Sequence, residues 1–271
     1  MKYYQNLHTH TSYCDGKDSV EEMIQKAIGL GFDSIGFSGH SYMFYAPDHS
    51  MSVEGTEAYK KEVRAMKEKY KGKIDIFLGI EFDIYSDQTL DGYEYAIGSV
   101  QYLKTEEGRK TFDIDLVGTI EYINKYYGGD GMRFAKAYYE AMASAPEYGN
   151  FDIIGHFDLL VKNNDKGGFI DEDSKAYKDL GFEAIHALKG KIPLFEVNTG
   201  TISRGYKKSP YPQMEFLKEF RENGFGATIS SDCHDKRVLD CYFEESKELL
   251  REAGFNSFFV LTANGFEEVA L

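Results

Sequence analysis

Two hydrophobic periodicities alternate along the chain. Val20, Met23, Ile24, Ala27 and Ile28 recur at helical spacing and share one face. Ser19 stands just before them with Glu22 three residues on, the pattern of a capping box, so a helix is predicted from Ser19. A second helix is predicted after Thr56, with Tyr59, Val63, Met66 and Tyr70 on its apolar side and lysines and glutamates elsewhere. Further helices are expected near 131–147, 174–189, 212–223 and 244–253, and Gly190, Gly224 and Gly254 supply stop signals for them. Between the helices lie seven short apolar, β-rich runs: "YYQNLHTH", "DSIGFSGH", "IDIFLGIEF", "YAIGSVQYL", "FDIIGHFDLL", "IPLFEVNTG" and "GATISSDCH".

Strands alternating with helices predict an α/β fold with a parallel sheet and crossover helices, and the continuous apolar runs predict strands covered on both faces. No fixed-period repeat, linker or low-complexity tract breaks the pattern, so a single domain over residues 1–271 is expected. That length suits one α/β barrel. The longest stretch fitting neither period, 102–131, reads as an insertion or lid of unassigned fold.

Composition narrows the picture. Apolar residues make up 42%, with 21 Tyr and 20 Phe, which is ample for an aromatic-rich core that folds alone. A formal net charge of −14 opposes binding to polymeric DNA or RNA outside a locally basic cleft. The N-terminus opens "MKYYQNLHTHT" without an apolar leader, and no run of about 18 apolar residues occurs, so a cytoplasmic chain without a membrane segment is expected. Cys14, Cys233 and Cys241 form neither a CxxC pair nor an even disulfide framework, which fits a reducing compartment. Cys14 and Cys233 read as small residues beside ligands.

The chemistry gathers at the strand ends. His8 and His10, two apart on a strand, point to the same face, where they can grip one metal ion; an isolated HxH pair is equally what two surface histidines give. Company decides it. Five of the seven histidines, together with Asp15, Glu81 and Asp232, fall at or just beyond the C-terminal ends of predicted strands, where barrels and open α/β sheets place their active sites. Imidazole and carboxylate without thiolate suit Zn, Mn or Fe rather than a structural Cys₄ zinc, and eight such side chains can hold more than one ion.

In order, "HTHTSYCDG", "GFSGH", "GIEFD", "GSVQY", "GHFDL", "EVNTGTISRG" and "SSDCH" resemble the motifs of the PHP (polymerase and histidinol phosphatase) family, and within it they are most similar to the histidinol-phosphate phosphatases. The resemblance runs from about Asn6 to His234. It implies a distorted (β/α)7 barrel, TIM-like, with a trinuclear metal site at the C-terminal ends of the strands. Carried over residue by residue, it implies one ion on His8, His10, Glu81 and Asp232, a second on Glu81 and His156, and a third on Asp15, His40 and His234. The departure is Gln101, at a position where the family usually carries histidine, so the Glu81/His156 ion is expected to be held less tightly and the count to be two or three divalent ions of Zn, Mn or Fe.

Adjacent divalent ions activate water and neutralise phosphate charge, which is what in-line attack on a phosphomonoester requires. Arg204 has the planar fork to bind a phosphate dianion bidentately, and the resemblance places a phosphate-binding arginine there; Lys162 is a second candidate for substrate binding. Asp232, Arg204 and His234 are the candidate catalytic residues, with the general acid open between Asp232 and a bound water. Outside the motifs, His186 on a predicted helix reads as structural, His49 as part of a loop over the site, and Asp48, Asp83 and Asp87 as carboxylates able to read a cationic substrate. The implied reaction is hydrolysis of L-histidinol phosphate to L-histidinol and phosphate, a step of histidine biosynthesis, with a small-molecule phosphate ester as the partner. The alternatives are a PHP phosphoesterase for another small phosphomonoester or a nucleotide, and a metal-binding PHP-fold protein without activity. Oligomeric state is not legible.

Overall fold

The computed structural model describes residues 3–271. In chain order the elements are β1 (Gln5–Asn6), α1 (Val20–Leu30), β2 (Ser34–Phe37), α2 (Val53–Lys69), β3 (Asp75–Asp83) and β4 (Tyr95–Ser99). A hairpin of β5 (Tyr102–Thr105) and β6 (Gly108–Thr111) follows, then α3 (Leu116–Tyr127), α4 (Gly131–Ala143), β7 (Ile153–Ile154), the one-turn α5 (Asn164–Gly167) and α6 (Lys175–Leu188). The last third holds β8 (Leu194–Asn198), the one-turn α7 (Gly200–Ser203), α8 (Met214–Glu222), β9 (Gly226–Ser230), α9 (Phe243–Glu252) and a second hairpin, β10 (Ser257–Thr262) with β11 (Gly265–Ala270).

The seven β-rich runs of the sequence become one parallel sheet in the order β1-β2-β3-β4-β7-β8-β9. Its edges meet beyond the formal strands. Thr9 pairs in parallel with Cys233, His10 N donates to Cys233 O at 2.9 Å, and Asn6 Nδ2 donates to Ser231 Oγ at 2.6 Å. The sheet is therefore a nearly closed seven-stranded barrel ringed by helices, as the motifs implied. Closure leaves little free edge for pairing with another chain.

Local chemistry sets the helix ends. Ser19 Oγ accepts from Glu22 N while the Glu22 carboxylate accepts from Ser19 N, a complete capping box, and α1 stops at Gly31 in the left-handed region at φ 77°. Helix α2 starts earlier than the apolar period indicated, at Val53, because Ser52 Oγ accepts from Gly55 N at 2.9 Å and caps the helix one turn upstream of Thr56.

Two apolar clusters divide the core. Leu7, Phe77, Tyr95, Ile97, Ile153, Leu194 and Leu261 fill the barrel near the strands' N-terminal ends, and the larger cluster joins the outer face of the sheet to the helices. The Tyr95 ring lies across β2 and β3, where a Cβ on Gly79 would sit 2.1 Å from the ring, so only glycine fits. The hairpin β10–β11, absent from the predicted elements, plugs this end: Leu261 N donates to Gln5 Oε1 at 2.7 Å and Gln5 Nε2 donates to Leu261 O at 2.8 Å. The unassigned 102–131 segment is the β5–β6 hairpin and α3. Among the described residues no helix is long and apolar enough to cross a membrane.

Candidate metal centre

With the N-terminal end of the barrel plugged, the C-terminal end stays open for polar groups. His8 and His10 follow β1, Asp15 lies in the next loop, His40 follows β2, Glu81 sits inside β3, Gln101 follows β4, His156 follows β7, and Asp232 and His234 follow β9. Side chains up to 226 residues apart in sequence thus meet at one rim. Asp232 takes φ +48°, strained for a residue with a Cβ, as functional sites tolerate when their surroundings fix them.

One group of donors is buried. His8 Nε2 and His10 Nε2 have no hydrogen-bond partner, and Glu81 Oε2 lies 2.8 Å from His40 Nδ1. Glu81 Oε2 stands 3.3 Å from His8 Nε2 and 3.5 Å from His10 Nε2, and Asp232 Oδ1 stands 3.6 and 3.2 Å from the same two nitrogens. Ligand atoms 2.0–2.2 Å from one tetrahedral ion would be separated by roughly 3.3–3.6 Å. Orphaned buried donors at that spacing fit a divalent ion, and leaving them without one would be costly.

A second group lies beside the first. Asp15 Oδ1 is 3.6 Å from His40 Nε2, 3.2 Å from His234 Nε2 and 3.6 Å from His10 Nδ1. The His10 ring lies between the two groups and stacks on His234 at 4.0 Å. Burial and the neighbouring imidazoles of His234 and His40 push the His10 pKa down to about 3, so its lone pair stays free for a cation. Burial works against ionising Asp15, yet the imidazoles of His40, His234 and His10 hold its carboxyl well below the usual range. Glu81 and Asp232 behave likewise: burial opposes their charge, but His40 and His8 around the first, and Arg204 and His8 around the second, keep both ionised.

Glu81 turns its other oxygen to a different environment. Oε1 lies 2.8 Å from His156 Nε2 and accepts from Gln101 Nε2 at 2.9 Å, while His156 Nδ1 has no partner. The residues proposed from the motifs therefore converge, but those around Oε1 are already bonded to one another.

Glu196, which the sequence reading passed over, holds His8 from behind. Both of its carboxylate oxygens stand 3.0 Å from His8 Nδ1, and Oε1 also accepts from His156 N at 2.9 Å and Asn198 Nδ2 at 2.8 Å. A proton fixed on Nδ1 leaves Nε2 as the free donor toward Glu81 and Asp232. The one local signal was an acid at an inward position of the otherwise apolar "LFEVN" strand, since a buried charge needs a partner.

Above these groups opens a cavity of about 830 Å³ whose walls include His40, Gln101, His156, Arg204, Asp232 and His234. Arg204 is anchored on Asp232, with Nη2 donating to Oδ2 at 2.9 Å and Nη1 to the main-chain oxygen at 2.9 Å. Lys162 lines the same cavity, ion-paired with Asp113 and 4.7 Å from the Tyr206 ring centre. His49 borders this cavity and an adjoining one of about 710 Å³, while His186 is on α6, 2.6 Å from Glu219 and away from the rim.

The three further carboxylates face elsewhere. Asp83 is buried, accepting from Tyr85 N at 2.9 Å and Gln101 N at 2.8 Å, so it braces backbone rather than reading a substrate. Asp87 pairs with Arg109, and Asp48 borders the adjoining cavity. Cys14 Sγ lies 3.5 Å from His10 Nδ1, and Cys233 is buried beside Asp232.

Comparison with known proteins agrees with this geometry. A family model described as PHP domain matches residues 6–200. A Deinococcus radiodurans protein named "probable histidinol-phosphatase" is 26% identical over 261 residues, covering 91% of this chain and 92% of that protein. Histidinol-phosphatase of Bacillus subtilis is 24% identical over 84% of this chain and 92% of its own length. The crystal structure of histidinol phosphate phosphatase from Lactococcus lactis, complexed with Zn, L-histidinol and phosphate, superposes with a TM-score of 0.73 at 20% identity, covering 97% of this chain and 98% of that one.

Proposed function

The chain belongs to the PHP domain family, and from that premise we propose that it is a divalent-metal-dependent phosphatase that hydrolyses L-histidinol phosphate to L-histidinol and phosphate. The observation that carries the reaction class is the set of buried histidine and carboxylate atoms at tetrahedral spacing, with His8 Nε2 and His10 Nε2 unpartnered, beneath a cavity that also presents an arginine. What supports the substrate is that relatives named histidinol-phosphatase match along most of the chain, both in this protein and in their own length. We read residues 1–271 as one phosphoesterase unit: the family match ends at residue 200, yet β9 beyond it supplies Asp232 and His234 to the same rim.

His8, His10, Glu81 and Asp232 would hold one ion, and Asp15, His40 and His234 another, from Zn, Mn or Fe as the thiolate-free donor set suits. Divalent ions held there supply Lewis-acid stabilisation of phosphoryl charge and acidify water. The chain's own residues do the rest. Arg204, fixed by two hydrogen bonds to Asp232, has guanidinium N–H groups left for phosphoryl oxygens in the cavity. Lys162, lining the same cavity, contributes a second cation once phosphate competes with Asp113 for it. Asp232 stays ionised, tying Arg204 to the metal-binding rim so that phosphate and ligands keep one geometry.

The test is phosphate release from L-histidinol phosphate against a panel of nucleotide and sugar phosphates, with Mn, Zn or Fe supplied. A preference of orders of magnitude in kcat/KM for histidinol phosphate is expected. Activity spread evenly over the panel, or confined to nucleotides, would discard the substrate while keeping the phosphatase; no turnover on any phosphomonoester would discard both.

A further inference from the structure

Resting on the reading of the rim as a metal centre, we propose that Gln101 closes the Oε1 side of Glu81 to metal, so that this chain holds two ions and His156 is a hydrogen-bonding partner rather than a ligand. The two oxygens of Glu81 meet different chemistry. Oε2 faces only imidazole nitrogens, His40 Nδ1 at 2.8 Å, His8 Nε2 at 3.3 Å and His10 Nε2 at 3.5 Å, each a group whose lone pair can bind a cation. Oε1 faces one such nitrogen, His156 Nε2 at 2.8 Å, and the amide N–H of Gln101, which donates at 2.9 Å and has no lone pair on that nitrogen to offer.

The amide cannot easily turn to welcome a cation. Gln101 is buried, and its main chain is tied on both sides, with its N–H donating to Asp83 Oδ2 at 2.8 Å and its carbonyl accepting from Thr111 Oγ1 at 3.0 Å. Turning the amide to offer its oxygen gives up the hydrogen bond to Glu81 Oε1 and supplies only a neutral amide oxygen, a far weaker ligand than an imidazole nitrogen. The N–H toward Oε1 thus does what a cation would do there: it satisfies the carboxylate.

An independent observation concerns His156. A ligating imidazole normally has its other ring nitrogen held by an outer acceptor that fixes the tautomer. His8 has this in Glu196, 3.0 Å from Nδ1, but His156 Nδ1 is buried with no partner.

Metal stoichiometry tests this directly. Wild-type protein and Gln101→His are loaded with Mn²⁺ or Zn²⁺, freed of unbound metal and analysed for ions per chain by elemental mass spectrometry. Two ions are expected in the wild type and three in Gln101→His, whose imidazole would give a lone pair beside Oε1. Three in the wild type, or two in both proteins, overturns the proposal. His156→Ala in the wild-type background gives a second check independent of the folding of the first variant: two ions should remain, and a fall to one identifies His156 as a ligand and refutes the assignment. Phosphate release from the same preparations separates the two readings, since two bound ions without turnover on histidinol phosphate would sink the substrate and leave the stoichiometry standing.

Discussion

Replacing Glu196 by glutamine should weaken ion binding at His8 by roughly 10- to 100-fold, about 1.4–2.7 kcal/mol, although Glu196 touches neither the cavity nor the proposed ion. The magnitude follows from the proton count around a fully buried group. Oε1 accepts from His156 N and Asn198 Nδ2 at 2.9 and 2.8 Å, so the single oxygen of a glutamine must take its place. That oxygen still stands 3.0 Å from His8 Nδ1, but the amide NH₂ occupies the Oε2 position, also 3.0 Å away, so a charged two-oxygen acceptor becomes one neutral acceptor beside a donor. The proton is then held less firmly on Nδ1, and the tautomer with its proton on Nε2, the atom directed at Glu81 and Asp232, gains population at the expense of ion binding. Loss of one charge-assisted hydrogen bond is worth about 1.5–3 kcal/mol, the same scale. Competition titration against a fluorescent chelator gives the affinity, and nitrogen-15 NMR of the imidazoles in metal-free protein reads the tautomer. Unchanged affinity together with a proton still on Nδ1 would refute the reasoning.

Arg204→Ala should lower kcat/KM for histidinol phosphate by about 10²–10³, the scale of a lost contact to developing phosphoryl charge, and wild-type efficiency would remove the assignment; lysine should rescue poorly because it cannot span Asp232 Oδ2 and the main-chain oxygen together. Chelation should abolish turnover and lower Tm while leaving the far-ultraviolet dichroism of the barrel, because the apolar clusters do not depend on the ions; an ion resupplied at 100 times its Kd should restore about 2.7 kcal/mol by mass action. The exposed Glu22 carboxyl is drawn down to about 2 by Lys236 and by the N–H and hydroxyl of Ser19, so its contribution to stability is complete above its ordinary value of 4.5 and is lost as pH falls toward 2. The Tm gap between wild type and Glu22→Gln should therefore close on acidification across that window, and a gap constant from pH 2 to 6 would contradict it.

Much of the fold was legible because it is locally encoded. Alternating periods marked all seven barrel strands and the main helices, and Ser19 with Glu22 marked the start of α1, since amphipathic repeats and capping involve residues within a few positions of one another. The candidate metal donors stood out for the same reason: histidines and acids at the ends of apolar runs have few structural uses. The β10–β11 hairpin escaped because its strand β11, "GFEEVA", is largely exposed and lacks an apolar run, and its docking depends on Gln5, 256 residues away from Leu261.

What the tertiary structure alone decided is which atom of each side chain faces which neighbour. The sequence put Glu81 at a shared position, but not that Oε2 would face the imidazoles of His8, His10 and His40 while Oε1 met His156 and the amide N–H of Gln101. It showed Glu196 only as an acid in a strand, not as the partner of His8 across 188 positions of chain. Barrel closure creates these relations, bringing β1 against β9 and turning the strand ends inward to one rim. The sequence by itself determined the elements and the chemical inventory, because both follow from short-range pattern; hydrogen-bond direction, burial and charge balance at the centre arise from contacts between distant residues, and only folding in three dimensions sets them.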